Sequence, residues 1–235
     1  MSLPILNTPE YSAVVPSTKQ NIMFRPFLVK EEKLLFMAMQ GGDQKEMTNA
    51  VRNIIDACVL TDGFDVDKIA MFDVEYLFLQ LRGKSVGENV DLRLKHREGD
   101  CKNVMDVSVN LDQINVSFPD DYSDKIQLTD TVGIQMQFPG VTHVGNVDIN
   151  TQDFDKLLDF ISSCVVCIYD EENVYDSFSS QEIKSFLESL NQQQFAKVQQ
   201  FFTNAPKLQH DIEWTCPKCE KTETVHLEGL ASFFT

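Results

Sequence analysis

Residues Asp211–Phe234 read DIEWTCPKCEKTETVHLEGLASFF. Two polar-alternating runs, Ile212–Thr215 and Thr222–Leu227, flank Cys216-Pro217-Lys218-Cys219, a pattern that predicts strand, tight turn, strand. Thiols three positions apart on such a turn project to one side, and Pro217 stiffens it. Two thiolates so placed make half of a tetrahedral zinc site, a zinc knuckle.

The middle of the chain echoes this stretch. Asp91–Ile114 reads DLRLKHREGDCKNVMDVSVNLDQI, again strand, polar turn, strand and an acidic–apolar exit, with His96 and Cys101 standing where Cys216 and Cys219 stand. A helical pattern rich in aromatics precedes each, Asp73–Arg82 in one case and Gln192–Thr203 in the other. The chain therefore reads as a pseudo-repeat of helix–hairpin units.

The 235 residues, 43% of them hydrophobic, suffice for a substantial core in one large or two small domains. Twenty basic against thirty-six acidic residues give a net charge of -16, which argues against nucleic acid and anionic membrane surfaces as partners, since both repel such a chain. A basic or apolar protein partner suits it better. No apolar run approaches the roughly 18 residues of a membrane span, and the first fourteen residues lack a basic leader, so a cytosolic protein is expected. Six cysteines are too few for a disulfide scaffold of this size and are expected as thiols or metal ligands.

The elements predict an α+β fold, with helical segments flanking a central antiparallel β region and a C-terminal knuckle-like hairpin. Residues 1–20, rich in Pro, Ser and Thr, form an extended arm. Residues 21–145 make a helical hairpin plus a β-rich domain. Within them, Val29–Gln40 is a helix ended by Gly41-Gly42, Asp43 with Glu46 caps the next, and strands follow between Val90 and Phe138. Residues 146–235 make a helical domain ending in the C-x-x-C hairpin. There Phe154, Leu157, Leu158, Ile161, Cys164, Val165 and Ile168 keep helical spacing and predict one long helix, and Ser179 with Glu182 opens another.

Two further ligands are needed to complete a zinc site at Cys216 and Cys219. Cys164 and Cys167 form a second C-x-x-C, although Cys164 lies on an apolar stripe where a thiol packs as a small hydrophobe. His96 and Cys101 would instead let the two hairpin turns clamp one ion. His210 and His226 flank the terminal turn and can each offer one donor. No phosphate loop, nucleophile elbow or paired acid–base carboxylates stand out, so no enzyme is expected.

Three blocks carry a family resemblance: Arg25-Pro26-Phe27-Leu28-Val29-Lys30-Glu31-Glu32-Lys33-Leu34-Leu35, Phe72–Glu88 (FDVEYLFLQLRGKSVGE), and Cys216–Cys219 followed by Leu227-Glu228-Gly229-Leu230. In this order, from about residue 20 to the end, the chain resembles the baseplate hub and hub-assembly proteins of T-even-type contractile-tailed bacteriophages. Where relatives tend to carry a second cysteine in the middle hairpin, this chain has only Cys101, with His96 upstream. The resemblance implies a non-enzymatic tail-morphogenesis protein that binds hub or tape-measure proteins. It would act as a chaperone-like assembly factor in the host cytoplasm, or as a hub subunit kept in the virion baseplate. A zinc-ribbon binding module is the remaining reading. Arg25, Phe27 and Lys30, a basic–aromatic run on an acidic chain, are the expected partner-binding residues.

Overall fold

The computed structural model describes residues 6–95, 101, 103–120, 122–144 and 153–233. The fold is α+β with antiparallel sheets, and the chain divides into two compact units, residues 1–117 with 207–235, and residues 118–206.

The first unit opens with an antiparallel hairpin, β1 (Tyr11–Val14) on β2 (Asn21–Phe24), which turns back between Val15 and Gln20. Helices α1 (Val29–Gly41) and α2 (Gln44–Cys58) form the expected helical hairpin, turned by Gly42 in the left-handed region at φ 68°. Helix α3 (Met71–Val86) spreads its apolar residues all round its axis, with Asp73, Glu75, Gln80, Arg82 and Lys84 between them, and is largely buried. Phe72, Val74, Leu77, Phe78, Leu79 and Leu81 are all enclosed, as expected of a helix without a polar face.

Five further strands, in two sheets, complete this unit. Strands β3 (Asn89–Lys95) and β4 (Val104–Asn110) pair over their whole length, and β5 (Asn115–Ser117) follows a single 3-10 turn. The chain then leaves for the second unit and returns, so that β10 (Lys207–Thr215) pairs both with β5 and with β11 (Thr222–Glu228). Leu79 of α3, Leu92 of β3, Val109 of β4, Leu208 and Ile212 of β10 and Leu227 of β11 share one core. The terminal hairpin thus packs with residues 1–117, whereas the sequence groups it with the helices before it; its alternating apolar residues need the cover that this core supplies.

The second unit is a four-stranded antiparallel sheet in the order β6 (Lys125–Gln127), β7 (Gly133–Met136), β8 (Val165–Tyr169), β9 (Val174–Tyr175). The single-turn α4 (Val141–Val144) and helices α5 (Phe154–Ser163), α6 (Ser180–Glu188) and α7 (Gln192–Thr203) complete it. The long helix expected through Ile168 therefore stops at Ser163. Ser162 and Ser163 turn their hydroxyls back to the carbonyls of Leu158 and Phe160, which weakens the helix just where the β-branched run Val165-Val166-Cys167-Ile168 begins. The expected central β region is likewise shared out: β3 and β4 stand alone, β5 joins the terminal hairpin, and β6 and β7 belong to the second unit.

Asp73 ties the N-terminal arm to α3. Fully buried at the third helical position, its carboxylate accepts from Ser17 N–H (2.9 Å), Ser17 Oγ–H (2.5 Å) and Ala70 N–H (3.1 Å). Burial pushes its pKa up in spite of these donors. A raised folded-state pKa contributes stability below the unfolded value, which is lost as pH rises through the folded one. Asp73→Ala is expected to lower stability by roughly 2–4 kcal/mol and to release the amide of Ser17 to rapid hydrogen exchange. Urea unfolding and exchange mass spectrometry check this; an unchanged midpoint would refute the tie.

Candidate metal centre

The terminal turn is built by its own backbone. Cys216 N–H donates to Lys221 C=O (2.9 Å) and Glu220 N–H donates to Cys216 C=O (2.8 Å), while Glu220 adopts a left-handed φ of 59°. Thr215 and Thr222 join hydroxyls at 3.0 Å where the strands enter the turn. This folding-back brings Cys216 and Cys219 to the same side, as the C-P-K-C spacing predicts.

The third sulfur comes from the other hairpin. Cys101, on the connection between β3 and β4, places its Sγ 3.8 Å from Cys216 Sγ, and the sulfurs of Cys101, Cys216 and Cys219 all lie within 4.8 Å of one another. Asn103 turns its amide toward the same sulfur, with Nδ2 3.7 Å from Cys216 Sγ. Cys216 is buried and the other two half-buried. Three such ligand atoms can hold a metal ion.

The electrostatics differ sharply among the thiols. Burial alone would push the Cys216 thiol up, but the backbone N–H groups of Lys218 and Cys219 and the thiols of Cys219 and Cys101 outweigh it and bring it down to about 6. At Cys219, hydrogen bonding from the Lys221 backbone draws the pKa down, yet burial and the two neighbouring thiols leave it raised.

The other cysteines are unlike these. Cys164 is buried in the second unit's core, where burial pushes its thiol up to about 12, and Cys167 faces Gln135 from β8, with 3.5 Å between Sγ and Oε1. The cluster at the hairpin turns draws on neither. Cys58 is core of the first unit, pushed up to about 11 by burial. His96 lies outside the described residues. His226 stands on β11 with Nδ1 2.5 Å from Asp211 Oδ1, and His210 lies on β10, so both sit along the strands rather than at the turn.

The expected partner-binding run is divided. Phe27 is buried and stacks on Phe78, with ring centroids 6.5 Å apart. Arg25 turns inward, donating to Ala57 C=O (2.9 Å) and pairing with the buried Glu31 at 3.0 Å. Burial would raise the Glu31 carboxyl, but the Leu28 N–H, Arg25 and Lys30 outweigh this and hold it low. Lys30 alone projects outward, with its side chain 71% exposed. Anchoring predicts that Phe27→Ala costs roughly 3–5 kcal/mol of stability, and that Lys30→Ala stays within about 0.5 kcal/mol of the parent. Equilibrium unfolding checks both; a Phe27→Ala chain as stable as the parent would contradict the packing described.

No curated protein and no solved structure matches the chain. Residues 8–235 match the family described as T4 bacteriophage base plate protein. That match takes in both units, the helical hairpin, the buried helix α3 and both cysteine-bearing turns. The chain belongs to the family of T4 bacteriophage base plate proteins.

Proposed function

We propose that this protein is an assembly factor of the baseplate's central hub, acting by binding rather than by catalysis. Membership of the base plate family carries the reading, since it makes other phage baseplate proteins the partners. The surface of α1 supports it. Val29 is 79% exposed, Phe36 60% and Met37 57%, with Met39 exposed as well, and exposed methionines adapt to partner surfaces. Lys30 is exposed on the same helix, whereas Arg25 and Phe27 are turned inward. Partners of this chemistry are the hub or tape-measure proteins, covered in the host cytoplasm until they assemble. On a chain of net charge -16, basic surfaces of such partners gain a favourable encounter.

The second reading is a hub subunit retained in the virion, favoured by the same family match. In either case the cysteine cluster keeps two hairpin turns together and takes no part in chemistry. The likeness of the two hairpins, each preceded by a helix and followed by a 3-10 turn, supports a pseudo-repeat.

Quantifying the protein in purified virions and in lysate of infected cells separates the readings. An assembly factor is abundant in lysate and absent from particles; a fixed stoichiometric copy number in particles would overturn that reading in favour of the subunit. The α1 surface is tested by Phe36→Glu with Met37→Glu. This double variant is expected to lose co-purification with hub proteins by at least about tenfold, the equivalent of 1.4 kcal/mol, with its unfolding midpoint unchanged. Undiminished co-purification would remove α1 from the interface.

A further inference from the structure

The cysteine cluster carries an inference that does not depend on the partner-binding reading. The turns bearing Cys101 and Cys216 are 115 residues apart in sequence, yet their sulfurs stand 3.8 Å apart. Zinc–thiolate bonds of about 2.3 Å at tetrahedral angles place ligand sulfurs roughly 3.8 Å from one another. The pair Cys101 and Cys216 therefore already has the separation of two ligands on one ion, and Cys219, within 4.8 Å of both, needs to close by no more than about 1 Å to do the same.

The polar group beside Cys216 points the same way. The Asn103 side-chain amide stands with Nδ2 3.7 Å from its sulfur. Such a donor suits a sulfur that carries negative charge, as the outer shell of a metal site does. The buried thiol of Cys164 has a serine hydroxyl beside it and is otherwise enclosed by apolar side chains. Soft thiolates select zinc and similar ions over magnesium or calcium.

We propose that Cys101, Cys216 and Cys219 are the three thiolate ligands of one zinc ion, with a solvent oxygen as its fourth ligand, that joins the β3–β4 connection to the β10–β11 turn. Binding is an exchange of protons for metal: each coordinating thiol releases its proton and nothing is oxidised. Three thiolates with one divalent cation leave a charge of -1 at the site, which the Asn103 amide opposes. The ion's place is structural, because it bridges two hairpins that share one core at their bases.

The test uses the full chain purified with a thiol reductant. Elemental analysis is expected to find one zinc per chain. Replacement by Co2+ is expected to give the intense visible bands of tetrahedral cobalt, together with thiolate-to-cobalt charge transfer in the near ultraviolet. Cys101→Ser, Cys216→Ser and Cys219→Ser should each lose the bound equivalent or bind it at least tenfold more weakly, whereas Cys167→Ser should retain it. Should the cluster variants fail to fold, the cobalt spectrum of the unaltered chain decides by itself. Absence of stoichiometric metal, a cobalt complex without thiolate charge transfer, or zinc retained after all three substitutions would each overturn the proposal.

Discussion

Helix α3 has no polar face, and the arrangement of the first unit follows from that. Each apolar side chain it hides is worth roughly 1.5–3 kcal/mol relative to exposure, so the helix must be covered all round. Its neighbours in sequence, α2 and the turn after β4, cover part of it. The remainder is covered by Ser17 of the N-terminal arm, by Phe27 stacked on Phe78, and by β10, which the chain lays against β5 on its return at Lys207. Asp73 and Glu75 show how fully the helix is enclosed. Burial raises both carboxyls, and their hydrogen bonds reach Ser17 near one end of the chain and Leu230 near the other.

The cysteine cluster is a consequence of this closure. The two hairpins are rooted in one core through Leu92, Val109, Ile212 and Leu227, and that shared base sets them so that their turns meet. Apolar support thins toward the turns: Leu92 is the one buried residue of β3 and Val109 of β4, and Val104, at the start of β4, is exposed. The three converging sulfurs lie beyond the last buried residues of β3 and β4, with the buried Trp214 beside Cys216 at the end of β10.

Local chemistry was readable in the sequence. Ser179 with Glu182 is a capping box, as its spacing suggests, and Asp43 caps α2 through the Lys45 N–H. The strands between Val90 and Phe138 lie close to where their alternation puts them. The helix expected through Ile168 shows the limit of periodicity. Cys164, Val165 and Ile168 fit a helical stripe, but Val165 and Cys167 are buried and Val166 is exposed, the period of two of a strand. Which hairpin packs with which helix is a non-local fact, and nothing within residues 207–235 reports it. For the same reason the sequence left two sets of partners for Cys216 and Cys219, and only the fold selects Cys101. Arg25 and Phe27 stood out as a basic–aromatic run, a signature equally produced by a helix anchor; burial distinguishes the two.

The closure around α3 requires two hairpin turns far apart in sequence to meet, and oxidative trapping tests that most directly. With metal removed by a chelator, mild oxidation of the folded chain followed by peptide mapping is predicted to link Cys101 to Cys216 or Cys219. Linkage confined to Cys164 with Cys167, or Cys101 left as a thiol in a Cys219→Ser chain, where Cys216 has no other partner in the cluster, would contradict the arrangement and with it the closure around α3.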